Sequence, residues 1–297
     1  MLPARIEEYV RPRTVVEALA AVARYDAGEA IFLAGGQSAM QAIKSRMLRP
    51  QCVVDLQDVS ELKGVSSSNG ALHIGAMTRY VEIARDERLS GAFAALRDAA
   101  SHVGDRQVRN RGTIGGSVCW NYVAACTPTV VLALAGTMNL LAADGSKRSV
   151  AADDFLLGPL ETARRDDEIL LSVSWPAPAP RAGSAYKKWG LITDALPVIG
   201  VAVIGVAVLV TLDTSGKCSA ARIALAGLAD GAQRARLGEA KLIGSSGDQA
   251  SIDLAMGAIA DNADTHSDMS ADADYRKQLI RTIGRDVALS AFARARA

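Results

Sequence analysis

Apolar and polar positions fall into short blocks whose period changes along the chain. Thr14-Val15-Val16-Glu17 has the form of a capping box, and apolar residues recur after it at helical spacing to about Tyr25. Gly28 is placed to end that helix. The apolar run Ala30-Ile31-Phe32-Leu33 predicts a strand, residues 39 to 48 a helix, and residues 52 to 56 a second strand. Together they make a compact βαβ-like unit. Alternation predicts a strand over residues 72 to 76, and helical spacing predicts helices over 80 to 85 and 92 to 103. Residues 129 to 135 read as helix, and residues 138 to 142 as a strand that ends at Asp144-Gly145. A further strand is predicted over residues 168 to 175.

Pro176-Ala177-Pro178-Ala179-Pro180 can continue neither strand nor helix, so it reads as a linker. Two domains are expected, residues 1–177 (lobes of about 1–56 and 57–177) and residues 178–297. In the second, residues 198 to 212 and 217 to 226 flank Asp213-Thr214-Ser215-Gly216, a hairpin signal. Helices are predicted over 233 to 242, 251 to 259 and from 273 to the end. The longest uncharged run, residues 195 to 212, nears the lower length limit of a membrane span. Its β-branched content favours a long buried strand instead, so no membrane span is expected.

Composition changes this picture little. The chain has 297 residues, 49% hydrophobic and 22% charged, as in ordinary globular proteins. A formal net charge of +1 and 4% aromatics argue against nucleic acid as a partner. The first residues lack the apolar core of a signal peptide, and a cytoplasmic location is expected. Cys52, Cys119, Cys126 and Cys218 fit no zinc or disulfide spacing and read as buried, reduced thiols.

Candidate chemistry lies in two glycine clusters. Ala34-Gly35-Gly36-Gln37-Ser38 follows the first predicted strand and precedes a helix. Gly112-Thr113-Ile114-Gly115-Gly116-Ser117 follows the basic stretch Arg106-Gln107-Val108-Arg109-Asn110-Arg111. Glycines let backbone N–H groups approach a phosphate with no Cβ in the way. Two such loops, distant in sequence, suit one long ligand with a diphosphate at its centre, such as a dinucleotide. Neither loop has the G-x-G-x-x-G pattern of a nicotinamide-binding Rossmann unit.

Strand-A-G-G-x-S-helix followed by R-x-x-G-T-I-G-G resembles the flavin-binding medium subunit of molybdenum hydroxylases, the family of carbon monoxide dehydrogenase and xanthine dehydrogenase. Pro50-Gln51-Cys52-Val53-Val54-Asp55-Leu56, Leu72-His73-Ile74-Gly75-Ala76-Met77-Thr78 and Tyr275-Arg276-Lys277 with Arg281 are similar to further family segments, in order. The resemblance implies an α+β fold: a two-lobed FAD-binding domain, then a smaller domain of antiparallel strands and helices. It implies that FAD lies between the lobes. Leu33, Ala34, Gly35, Gly36, Gln37 and Ser38 would hold the diphosphate from one side. Gly112, Thr113, Ile114, Gly115, Gly116 and Ser117 would hold it from the other. The resemblance places Lys187 near the flavin, Leu170 and Val103 in apolar contact with it, and Asp194 close by. For Lys187 and Asp194 a solvated surface charge is an equal alternative. No metal site and no catalytic side chain are implied.

The chain departs from the family after the second loop. Ser117 replaces an asparagine and Cys126 an aspartate, and Trp120-Asn121-Tyr122-Val123-Ala124-Ala125 replaces an acidic segment. An arginine between Lys187 and Asp194 and an aromatic after Asp194 are also missing. Losing a charge-assisted acceptor costs about 1.5–3 kcal/mol, and two lost contacts would weaken FAD by about a hundredfold. With both loops kept, FAD binding is expected to persist. The resemblance implies an electron-transfer subunit in a heterotrimer, with dimerisation left open. Its partners would be a large molybdenum-cofactor subunit and a small [2Fe-2S] subunit. Electrons would pass through the FAD to NAD, oxygen or a quinone. A stand-alone flavoenzyme with Trp120 and Tyr122 beside the flavin, and a scaffold with weakened flavin binding, remain alternatives.

Overall fold

The computed structural model describes residues 3–190 and 204–297. The chain begins with a three-stranded parallel sheet in the order β1 (Glu8–Val10), β3 (Cys52–Asp55), β2 (Ala30–Leu33). Helix α1 (Val15–Val22) covers one face and α2 (Ala39–Lys44) the other. Thr14 caps α1 by accepting from the Glu17 N–H at 3.1 Å. That helix ends three residues before Tyr25, and Gly28, at φ +82°, turns the chain into β2 rather than closing α1. Helix α2 likewise stops short of residue 48, because Arg46 adopts φ +63° and the Leu48 N–H returns to the Ala42 carbonyl.

A five-stranded antiparallel sheet follows, in the order β4 (Val65–Ser68), β5 (Ala71–Gly75), β10 (Glu168–Trp175), β6 (Thr137–Ala142), β7 (Lys147–Ala151). Asn69 and Gly70, both at positive φ, make the β4–β5 turn that an Asn-Gly pair favours. Helices α3 (Tyr80–Arg85), α4 (Ala94–His102), α5 (Arg106–Arg111), α6 (Ile114–Trp120) and α7 (Cys126–Ala133) fill the long crossover. α8 (Ala152–Phe155) and a small hairpin of β8 (Leu156–Gly158) and β9 (Glu161–Thr162) precede β10. The basic stretch before the second glycine cluster is thus helix α5, capped by Asp105 accepting from Val108 N–H at 2.8 Å. Helix α7 starts at Cys126 rather than 129. It is buried on every side, so it carries no polar face to reveal its period.

The third sheet is antiparallel, β11 (Ala182–Trp189), β12 (Ile204–Leu212), β13 (Cys218–Ala226), β14 (Gln233–Arg234). The helix expected from residue 233 begins only with α9 (Arg236–Leu242). Gln233 and Arg234 instead pair with Leu225 and Ala224, which would otherwise be an open edge. Residues 198–203 of the expected long strand, and Asp194, lie outside the described residues. Helices α10 (Gln249–Asn262) and α11 (Ala273–Arg296) close the fold.

This last sheet is a wall between two cores. Tyr186, Ala207, Leu209 and Ala224 join the core of the five-stranded sheet and α3–α7. Ala185, Val206, Val208, Ile223 and Leu225 join a second core with α10 and α11. Two polar ties fix the wall to the preceding helices. Arg294 on α11 and the Tyr186 N–H both donate to Asp98 on α4, and Arg222 and Arg234 pair with Asp153 on α8. No described helix is long and apolar enough to cross a membrane.

Candidate functional site

The first glycine cluster is the connection from β2 to α2, at the carboxyl ends of the parallel strands. The second is the start of α6. Folding brings them into contact. A Cβ on Gly35 would overlap the Arg111 carbonyl, and one on Gly116 would lie 3.2 Å from the Ala34 Cβ. Gly112 sits under the Tyr80 ring, where a Cβ would lie 3.0 Å from ring carbons. A Cβ on Gly115 would meet the Ala76 carbonyl oxygen at 2.7 Å. Gly35 and Gly115 are therefore demanded by close approach, Gly112 and Gly116 sit in tight contact, and Gly36 is favoured by φ +74°.

The two loops differ in what their backbones have left to offer. Among the described residues, the N–H groups of Gly35, Gly36, Gln37 and Ser38 donate to no protein acceptor. In the second loop the N–H groups from Ile114 to Ser117 are spent, and only that of Thr113 donates to no protein acceptor among the described residues. Ile114 donates to the Thr78 carbonyl at 3.1 Å and Gly115 to the Ala76 carbonyl at 2.9 Å. Gly116 donates to Thr113 Oγ1 at 3.1 Å and Ser117 to the Thr113 carbonyl at 3.2 Å. Unspent donors beside glycines that admit no Cβ are what an anionic ligand needs. The residues present therefore fit a diphosphate, with the first loop as its backbone cradle.

A small recess opens where the loops meet. Ala34, Gly35, Gln57, Lys63, Met77, Arg79, Arg111 and Thr113 line it. Sequence reasoning passed over Gln57, Lys63, Met77, Arg79 and Arg111. Only the position of Arg111 directly before Gly112 hinted at a role. Arg79 reaches the site because its backbone forms an antiparallel bridge with Thr113.

The remaining expected residues are spread around this centre. Ser117 and Thr127 both bond the Tyr80 hydroxyl, Thr127 Oγ1 donating at 2.9 Å; burial pushes the Tyr80 phenol up to about 12. Cys126 opens α7 and is only 5% exposed. It lies beside Tyr186, whose buried hydroxyl makes no hydrogen bond among the described residues. Burial, and then Cys126, hold that phenol well above its ordinary range. Burial also pushes the Cys119 thiol up to about 11, which keeps it a thiol rather than a thiolate. Leu170 is buried in the core under β10 at a β-bulge, and Val103 packs against the same core from the end of α4.

Lys187 does not share this side of the molecule. Strand alternation puts it on the face toward α11, where its Nζ pairs with Asp286 at 2.8 Å. Lys188 falls on the face that Tyr186 presents to the core of the five-stranded sheet.

This geometry has clear counterparts among known proteins. Residues 4–178 match the family of the FAD binding domain in molybdopterin dehydrogenase, and residues 200–291 match the CO dehydrogenase flavoprotein C-terminal domain. The chain belongs to the FAD-binding medium subunits of the molybdenum hydroxylase family. The carbon monoxide dehydrogenase medium chain of Hydrogenophaga pseudoflava is 31% identical to this medium subunit over 93% of each chain. The 6-hydroxypseudooxynicotine dehydrogenase complex subunit alpha of Paenarthrobacter nicotinovorans is 32% identical over 97% of this chain and 95% of its own. The caffeine dehydrogenase subunit beta of Pseudomonas sp. is 33% identical over 61% of each chain. Among solved structures, carbon monoxide dehydrogenase from Hydrogenophaga pseudoflava superposes with a TM-score of 0.90 at 31% identity, covering 99% of both chains. Quinoline 2-oxidoreductase from Pseudomonas putida 86 gives 0.89 at 30% identity, covering 100% of both. The medium subunit is thus part of an oxidoreductase, and its cofactor is FAD.

Proposed function

We propose that this medium subunit is the electron outlet of a three-subunit dehydrogenase. A large molybdenum-cofactor subunit would oxidise the substrate, and a small [2Fe-2S] subunit would carry the electrons to this chain. The flavin supplies the redox chemistry, accepting electrons and yielding them to NAD, oxygen or a quinone. The protein's own residues bind and orient it. The observation that carries this reading is the meeting of the two glycine loops with the first-loop N–H groups unspent.

In this reading residues 1–177 hold the cofactor and residues 178–297 form the second domain. Leu33 to Ser38 hold the diphosphate. Gly112 to Ser117 shape the opposite wall, with Thr113 facing the recess. Leu170 and Val103 supply apolar support beneath the flavin side. In this reading Lys188, on the same face of β11 as Tyr186, takes the flavin-side place expected of Lys187, which pairs with Asp286. Asp194, which lies outside the described residues, would serve the cofactor by resemblance to the family alone. Four free cysteines support a cytoplasmic location.

The test is the visible spectrum of the purified chain, with identification of any released cofactor after denaturation. FAD is the expected release. Co-purification with a molybdenum subunit and an iron–sulfur subunit then separates an electron-transfer subunit from a free-standing flavoenzyme. A colourless chain that FAD cannot reconstitute would sink the proposal.

A further inference from the structure

We infer that Arg79, with Lys63 and Arg111 beside it, forms a cationic wall that neutralises the FAD diphosphate from the second lobe. This rests on the FAD reading above. None of the three belongs to the glycine motifs.

The need for such a wall follows from the hydrogen-bond inventory. A diphosphate brings about two negative charges into the cleft. The first loop can meet it with the free N–H groups of Gly35 to Ser38. The second loop has a single open N–H to set against it, that of Thr113, because Ile114, Gly115, Gly116 and Ser117 have already donated within the protein. One neutral N–H does not balance two charges, so most of the compensation on that side falls to side chains, and three cationic ones line the recess next to Gly35 and Thr113.

Arg79 is the best placed of them. Its backbone is locked: it bridges Thr113, and its N–H donates to Glu82 Oε2 at 2.7 Å. Residues opposite one another in an antiparallel bridge project to the same side, so Arg79 and Thr113 face the recess together. The guanidinium itself makes no hydrogen bond or ion pair among the described residues. All five of its N–H donors are open, in a fork that suits phosphate oxygens. Lys63 and Arg111 are partly committed. Lys63 Nζ donates to the Gln57 carbonyl at 2.5 Å, and Arg111 reaches Gln57 Oε1 at 3.4 Å. Gln57 thus braces two cations, while Arg79 is held at its backbone and free at its tip.

The same wall offsets the losses at Ser117 and Cys126. Those positions surrender contacts to the cofactor, and Arg79 adds attraction to its charged centre. FAD affinity in this chain should therefore depend unusually on ionic strength.

Titration of the cofactor-stripped full chain with FAD, followed by flavin fluorescence at low and at high salt, tests this. Arg79→Gln is expected to weaken FAD about tenfold at low salt and to flatten the salt dependence. Arg79→Lys should recover part of the loss. Riboflavin, which carries no phosphate, should bind the unmodified chain and Arg79→Gln alike. A melting curve of Arg79→Gln without FAD, matching that of the unmodified chain, shows that the fold is intact. Unchanged FAD affinity and unchanged salt dependence in Arg79→Gln would overturn the inference alone. Failure of the unmodified chain to bind FAD at any salt would overturn the FAD reading and this inference with it.

Discussion

Gly35 shows how little room a single position leaves. Its missing Cβ is the gap through which the Arg111 carbonyl approaches the first loop. Gly35→Ala forces that contact apart. We expect a stability loss of about 1–3 kcal/mol, typical of overpacking, together with loss of FAD. Thermal melting and flavin content of the purified variant check both. Glu168 behaves differently. It is 1% exposed and takes two hydrogen bonds from Arg148, at 2.6 and 2.7 Å, which hold its carboxyl below the usual range against the opposing effect of burial. Because its folded value is lowered, its contribution is present above the ordinary glutamate range and fades as pH falls through the folded value. Melting temperature measured between pH 7 and pH 3 should fall less steeply in Glu168→Gln than in the unmodified chain. At neutral pH that variant should be less stable by about 2–3 kcal/mol.

At the scale of elements, β11 and α11 depend on each other. Gly183 lets α11 lie directly on the strand, since a Cβ there would overlap the Ala291 carbonyl and the Ala295 N–H. Gly183→Val would lift the helix from the sheet and open the second core. We expect a lower urea midpoint, with a cost above the ordinary 1–3 kcal/mol of overpacking because both colliding atoms are backbone. The lysine pair on β11 obeys the same geometry. Lys187→Ala removes an exposed ion pair with Asp286, worth at most about 1 kcal/mol, and should leave FAD affinity unchanged. A titration that showed Lys187→Ala to weaken FAD severalfold would contradict the strand register.

Across the whole molecule, the third sheet decides whether the two halves act as one. Asp153 on α8 gathers Arg222 at 2.6 Å and Arg234 at 3.1 Å, and Asp98 on α4 gathers Arg294. Asp153→Asn leaves Arg222 and Arg234 without their shared anion. Denaturation followed by a probe in each half should then separate into two transitions, where the unmodified chain shows one. FAD binds the folded state alone in this account. A hundredfold excess over its dissociation constant should add about 2.7 kcal/mol to stability, seen as a rise in melting temperature.

Much of this protein was legible in its sequence because the relevant physics is local. Strand Ala30–Leu33 and helix Tyr80–Arg85 fell where their apolar periods put them, and strand Glu168–Trp175 did the same. The two glycine loops announced backbone approach, since glycine clusters after a strand or before a helix have few other uses. Local pattern failed where burial or pairing overrode it. Helix α7 has no polar face, β11 hides its alternation behind Gly183 and a lysine pair, and Gln233–Arg234 is a strand only because β13 offers it an edge. The meeting of Gly35 with Arg111, the commitment of the N–H groups from Ile114 to Ser117 and the arrival of Arg79 beside Thr113 join residues far apart in sequence. Such contacts depend on how three sheets stack and which hydrogen bonds are already spent. Sequence by itself determined the family, the cofactor and the two loops. Only the tertiary structure decided which loop keeps donors free and which cations stand beside it, because backbone hydrogen bonds are allotted across the fold and not along the chain.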